Sequence, residues 1–213
     1  SCFLTSGQIC MALKRLYVPR ALFDDVVDGL SEVMDRQVVG DGLKEGVTMG
    51  PLTTERQKGV VSTMLAEAQT AGADIRYLGA IDDEADFEAG HFLRPSLVVN
   101  ADHGLSVVRD EQFGPTLPVI AYDSEDEAVS MANATEYGLS SSVWSADDAR
   151  AVALATRLEA GFTNINSHGP TAMDGLSPFG GVKQSGIGRN FGVEGIRQFQ
   201  EVHSISGASG AIF

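Results

Sequence analysis

The residues best suited to covalent chemistry lie within the first ten positions. Ser6-Gly7-Gln8-Ile9-Cys10 sets a thiol just after a turn-permitting glycine and a polar amide. Such a sequence can hold the sulfur at an exposed bend, with the cysteine's own backbone N–H aimed at the carbonyl it attacks. The competing reading is a small buried hydrophobe, because Met11, Ala12 and Leu13 follow directly. The pentapeptide alone leaves both open.

Other patterns carry less. Cys2 and Cys10 are spaced C-x7-C and the nearest histidine is His91, which is no zinc pattern, so no metal is expected. The acidic run Asp82, Asp83, Glu84, Asp86 lacks calcium-loop spacing and reads as a solvated loop. Gly186-x-Gly188 is only half of a dinucleotide fingerprint, with no strand leading in, and Lys183-Gln184-Ser185 departs from the Gly-Lys-Ser/Thr of a phosphate loop.

With 213 residues the chain suffices for one large α/β domain or two small ones. Hydrophobic content of 43% beside 21% charged residues is ordinary for a globular protein. A formal charge of −14 repels phosphate backbones and anionic surfaces, which argues against nucleic acid or membrane as partner. No apolar run approaches the roughly 18–20 residues of a membrane span, and no signal-peptide pattern is expected. Two cysteines near one end cannot brace this chain, which suits a cytoplasmic setting where thiols stay free.

The elements that must position these residues are legible from periodicity. Residues 14–19 read as a strand stopped by Pro19, and 21–36 as a helix presenting Leu22, Val26, Val27, Leu30, Val33 and Met34. A glycine-punctuated loop at 40–51 leads to a second helix at 55–71, capped by Thr53 or Thr54, with Val60, Met64, Leu65 and Ala68 inward. Strands are expected at 75–78, 95–100 and 116–122, with a polar bend at 105–114. Helices at 124–134 and 146–158 then alternate with strands at 140–144 and 162–166, with starts supplied by Asp123-Ser124 and by Ser145 with Asp147 and exits at Gly138 and Gly161. Such alternation predicts an α/β fold with a mostly parallel, open sheet covered by helices. Residues 177–192 read as an ordered glycine-rich loop, 199–206 as an edge strand, and 207–213 as an arm lying on something else.

Four segments, in this order, resemble the aldehyde dehydrogenase superfamily: SGQIC at 6–10, VVGDGLKEGVTMGPLTTERQ at 38–57, DEQFGPTLPVIAY at 110–122, and YGLSSSVW at 137–144 with AGFTNIN and SPFGGVKQSGIGRNFG behind it. The resemblance runs over nearly the whole chain but matches only the carboxy-terminal half of the family's usual length. It implies that Cys10 is the catalytic thiol and that Glu111 accepts hydrogen bonds from the nicotinamide ribose. It also implies that Phe113 packs near the nicotinamide, and that Gln57 is an adenosine-side contact; Val60 stands where some members have a lysine. Phe179 matches an aromatic of the aldehyde tunnel, and Asn166 ends the strand opening toward it. The four histidines match no catalytic position and are expected on loops or at strand ends; Cys2 is expected to be packing.

On the same resemblance, residues 1–198 form the catalytic domain and 199–213 a strand and tail for subunit association, giving a homo-oligomer, dimer or tetramer. The cofactor is NAD or NADP, held mostly by an amino-terminal dinucleotide-binding domain that is absent here. The family's general-base glutamate, oxyanion asparagine and pyrophosphate turn would lie there too. The implied function is oxidation of a small-molecule aldehyde to a carboxylic acid through a thiohemiacetal and thioester on Cys10, with these 213 residues alone expected to be inactive. Two alternatives remain open: an acylating enzyme passing the acyl group to coenzyme A, and a non-catalytic assembly module.

Overall fold

The computed structural model describes residues 2–82 and 86–207. In chain order the elements are β1 (Leu16–Pro19), α1 (Phe23–Met34), β2 (Val38–Val39), α2 (Glu55–Thr70), β3 (Asp74–Tyr77), β4 (Ala80–Ile81), β5 (Ser96–Val99), α3 (Ser106–Arg109) and β6 (Thr116–Tyr122). They continue with α4 (Glu125–Asn133), β7 (Tyr137–Gly138), β8 (Ser140–Val143), α5 (Asp148–Ala155), β9 (Phe162–Ile165), β10 (Val182–Lys183) and α6 (Gly192–Arg197). The central sheet has the order β1-β6-β5-β3, parallel except for the antiparallel edge β3. The expected α/β architecture with mostly parallel strands is therefore present. The ladder is not continuous, however: β8 and β9 form their own parallel pair, and β2–β4 and β7–β10 are short pairs.

The central strands are buried on both faces, and their period of two divides the core. Leu97, Val99, Leu117 and Val119 pack with Phe23, Val27 and Met34 of α1 and with Val18 and Cys2. Val98 and Ile120 point the other way, to Val61, Leu65 and Ala68 of α2 and Val107 and Val108 of α3. A helix on each face is what lets β5 and β6 be nearly all apolar. Ser96 and Thr116, both fully buried, offset their desolvation through a hydroxyl–hydroxyl bond of 2.9 Å.

Helix starts follow side-chain chemistry. Thr54, Ser124 and Asp147 each accept from the backbone N–H three residues on, at Gln57, Glu127 and Arg150. The buried stripes are rotated from the expected ones: Leu22 and Val33 are exposed, and Val61 rather than Val60 is inward.

Three expectations are corrected. Gly138 and Gly161 do not end helices; they let two backbone segments touch. A Cβ on Gly161 would lie 1.7 Å from the Gly180 carbonyl oxygen, and one on Gly138 2.5 Å from that of Glu159. The bend at 105–114 contains the helical turn α3, and α6 follows the glycine-rich loop. Residues 201–207 form no strand, because an edge strand needs a ladder partner and none of the chain's own described strands supplies one. Phe199, Val202 and Ile205 are consequently 91%, 95% and 72% exposed. Of the acidic run, Asp83 and Glu84 lie outside the described residues; Asp82 pairs with Lys44, and Asp86 accepts from the Ala89 N–H.

Two outcomes follow from this packing. Leu97→Ala, at a fully buried site between β6 and β3, should cost about 2–5 kcal/mol in urea denaturation. Sedimentation velocity should show self-association growing with concentration, because Phe199, Val202 and Ile205 leave apolar surface in water; a clean monomer at high concentration would contradict this.

Candidate active site

The Cys10 turn is built on a glycine that nothing else can replace. Thr5 and Ser6 have φ of 51° and 56°, and Gly7 follows at 75°, so three successive residues are left-handed. A Cβ on Gly7 would fall 2.1 Å from the Gly114 carbonyl oxygen. Side chains hold the bend from its other side. Ser6 Oγ donates to the Gly50 carbonyl at 2.8 Å, while Gln8 donates to Thr53 Oγ1 at 2.7 Å and accepts from the Thr53 N–H at 3.1 Å.

Past Gln8 the chain makes a further turn, closed by the Ala12 N–H on the Ile9 carbonyl at 3.0 Å, with Cys10 at its first corner. Cys10 is exposed and Cys2 is buried. The buried-hydrophobe description thus fits Cys2, as expected, and not Cys10. Cys2 lies against the Thr116 carbonyl, and burial pushes its thiol up to about 11. Among the described residues the Cys10 N–H donates no hydrogen bond, so it stays available to an incoming oxygen.

The motif Glu111-Gln112-Phe113-Gly114 lies directly beneath. Lys14 Nζ donates to the Gly114 carbonyl at 2.6 Å, and Gln112 Nε2 donates to the carbonyls of Val107 and Lys14 at 3.1 and 3.3 Å. Burial lowers the Lys14 ammonium pKa, with Cys2 and Glu111 acting in the opposite sense, so the Glu111 charge is felt at this lysine. Glu111 itself is exposed, and among the described residues its oxygens accept no hydrogen bond. Phe113 is half-buried with φ 45°, a left-handed position the backbone must be held in. Gln57 of α2 does that holding: its Nε2 donates to the carbonyls of Gln112 at 2.7 Å and Phe113 at 3.3 Å. The expected adenosine-side residue therefore spends its amide donor on this loop.

The distal predicted residues are arranged differently. Asn166, just past β9 with φ 52°, uses both ends of its amide on Ser145, donating to its carbonyl and accepting from its N–H at 2.9 and 2.8 Å. It clamps the end of the β8–β9 pair. Phe179 is half-buried and packs edge-on to Phe162 at 5.7 Å and against Phe191 at 6.4 Å. Its backbone exchanges hydrogen bonds of 2.8 and 2.7 Å with Asn190, which orders the glycine-rich loop.

Sequence reasoning missed His168. Its Nε2 lies 3.0 Å from the Met11 carbonyl, a contact across 157 positions, and its Nδ1 lies 3.0 Å from Ser142 Oγ. No sequence signal marks it, since the pairing exists only once β9 is laid beside the Cys10 turn. Of the other histidines, His103 bonds Tyr17 and the Met131 carbonyl, and His203 is exposed. Among the described residues no cluster of histidine, cysteine and carboxylate side chains fits a metal ion, and no helix is long and apolar enough to cross a membrane.

An exposed thiol at a turn, packed on a loop that offers an open carboxylate and an aromatic ring at the rim of an α/β sheet, defines the class of site. The model of the aldehyde dehydrogenase family matches residues 1–205. The chain is 36% identical over 205 residues to geranial dehydrogenase of Castellaniella defragrans, covering 96% of this chain and 41% of that protein. It is 37% identical over 202 residues to a putative aldehyde dehydrogenase of Staphylococcus haemolyticus, covering 95% and 42%. Among solved structures it superimposes with a TM-score of 0.85 at 34% identity on a mutant of aldehyde dehydrogenase C from Pseudomonas syringae complexed with NAD+ and octanal, covering 94% and 40%. With the Mycobacterium tuberculosis aldehyde dehydrogenase complexed with NAD+ the TM-score is 0.84 at 32% identity, covering 93% and 40%. The chain belongs to the aldehyde dehydrogenase family, and it spans about two fifths of the length of these relatives.

Gly7→Ala should destabilise the fold by about 3 kcal/mol, combining left-handed strain with overpacking. Gly46→Ala, at φ 86° with open space around it, should cost only the backbone part, about 1 kcal/mol by the same denaturant titration. The Cys2 thiol gives a pH signature. Its folded pKa is raised, so its contribution is whole below the ordinary thiol value of 9.0 and is lost as pH rises toward about 11. Stability measured by urea melts should fall across that window, and Cys2→Ala should flatten the fall.

Proposed function

We propose that this chain is the catalytic portion of an NAD(P)-dependent aldehyde dehydrogenase that oxidises an aldehyde to a carboxylic acid through a covalent adduct on Cys10. The observation that carries the reading is the exposed Cys10 turn seated, through Gly7, on the backbone of the Glu111–Gly114 loop. The Cys10 thiolate bonds to the carbonyl carbon, and the carbonyl electron pair moves to oxygen, for which the Cys10 N–H is the donor this chain supplies. The adduct then loses hydride to become a thioester. Attack by water on that thioester releases the acid and restores the thiol.

The residues present fit a nicotinamide cofactor. The free carboxylate of Glu111 can accept from two vicinal ribose hydroxyls at once, and the Phe113 ring offers an apolar face. When bound, NAD(P) supplies the hydride acceptor; the neighbours complexed with NAD+ favour NAD. In this reading Gln57 acts by holding Phe113, Phe179 lines the aldehyde entry, and Asn166 fixes the strand end beside it. Residues 199–207, which have no ladder partner among the described residues, are proposed to belong to a segment that pairs with a second subunit in a homo-oligomer. Cytoplasmic placement belongs to the same proposal, supported by two thiols that are free.

Brief treatment with iodoacetamide followed by peptide mapping tests the thiol assignment. One carboxamidomethyl group is expected, on Cys10, with Cys2 unmodified; label on Cys2, or none, would refute it. These 213 residues alone, mixed with NAD and an aldehyde panel, should turn over at least about a hundredfold more slowly than a full-length relative, because a second oxyanion donor and a general base are assigned elsewhere. NADH absorbance at a rate matching the full-length enzyme would show that assignment to be wrong.

A further inference from the structure

His168 has no part in the chemistry described so far, yet both of its ring nitrogens are engaged. The Met11 carbonyl can only accept, so Nε2 carries the proton and Nδ1 accepts from the Ser142 hydroxyl. Ser142 Oγ in turn accepts from the indole N–H of Trp144 at 3.2 Å. The donors run in one direction: indole, hydroxyl, imidazole, carbonyl. Burial, the leading cause, lowers the His168 pKa, which keeps the ring neutral near pH 7, in the state this order requires.

The receiving carbonyl is the significant end. Met11 is the second corner of the turn that the Ala12 N–H closes on the Ile9 carbonyl, and Cys10 is the first. The hydrogen bond from His168 fixes the plane of the Met11–Ala12 peptide, one residue from the thiol. Gly7, Ser6 and Gln8 restrain the chain before Cys10, whereas His168 restrains it after. The two flanks are secured from different parts of the fold: the first by the loops at residues 50–53 and Gly114, the second by the end of the β8–β9 pair.

We propose that His168 is a positioning residue for the nucleophile, holding the Cys10 turn from its carboxy-terminal side through the Met11 carbonyl. This rests on the reading of Cys10 as the nucleophile. The geometry assigns the role to the Nε2 donor specifically, and that separates it from packing. His168→Gln keeps an N–H near the Nε2 position. His168→Asn keeps a polar group only near Nδ1, and His168→Leu keeps neither.

Hydrogen exchange of the Ala12 amide by NMR on the 15N-labelled chain reads the turn directly, with the amides of β5 as the control that the fold is intact. Exchange at Ala12 should quicken about fivefold in H168N and H168L, the factor carried by one neutral hydrogen bond, and return to the wild-type rate in H168Q. The ring 15N shifts of the wild type should report the Nε2–H tautomer. Should H168L fail to fold, H168N, which retains the Ser142 side of the site, carries the comparison. Wild-type exchange in H168N, failure of H168Q to restore the rate, or an Nδ1–H tautomer each overturns the assignment. The alkylation experiment on the wild type separates the two layers. If Cys10 is not labelled, the nucleophile reading fails; if Cys10 is labelled and the variants leave Ala12 unchanged, only the role of His168 fails.

Discussion

The site depends on one close pass of backbone over backbone. Neither Gly7 nor Gly114 has room for a side chain: a Cβ on the first would meet the carbonyl of the second, and a Cβ on the second would meet Val61 of α2. Lys14 closes the same junction by donating to that carbonyl. Two loops more than 100 positions apart, one carrying Cys10 and the other Glu111, are thereby joined backbone to backbone at Gly7 and Gly114. An ammonium drawn partly out of water to secure a single carbonyl shows how much of the local hydrogen bonding is committed to this contact.

Sheet topology explains why these loops meet. β1 and β6 are adjacent and parallel, so the segments leading into them, which carry Cys10 and Glu111–Gly114, lie at the same end. The β8–β9 pair contributes its opposite end, where Asn166 and His168 follow β9. The candidate site therefore lies between the amino ends of two strands and the carboxyl end of a third. Around it, three side-chain amides and an imidazole hold backbone: Gln8 on Thr53, Gln57 on Phe113, Asn166 on Ser145, His168 on Met11. The two residues proposed for chemistry, Cys10 and Glu111, have no such duty among the described residues.

The divergence between expected and observed elements has a consistent cause. Where local rules suffice, the reading agrees with the fold: Thr54, Ser124 and Asp147 cap their helices, and the apolar runs at 96–99 and 116–120 become strands covered on both faces. Where a glycine serves a neighbour it misleads, because Gly138 and Gly161 carry the signature of a helix exit while they in fact make room for the carbonyls of Glu159 and Gly180 in another segment of the same chain. α6 was concealed by the low helix propensity of Gly192 and Gly195, the latter pressed against Asn190. At 199–206 alternation suggested a strand, but alternation describes two faces and cannot supply the partner that a ladder needs.

By itself the sequence determined the class of fold, the starts of α2, α4 and α5 to within a residue or two, the family, and the choice of Cys10 as the thiol of interest, since each rests on short-range pattern or on motifs that survive as strings. Only the tertiary structure decided that Cys10 is exposed while Cys2 is buried, that Gln57 faces the Phe113 backbone, and that His168 reaches Met11. Those facts are relations between distant segments. They are set by which glycines let backbones touch and which parallel strands lie side by side, and neither is encoded within the reach of a single turn.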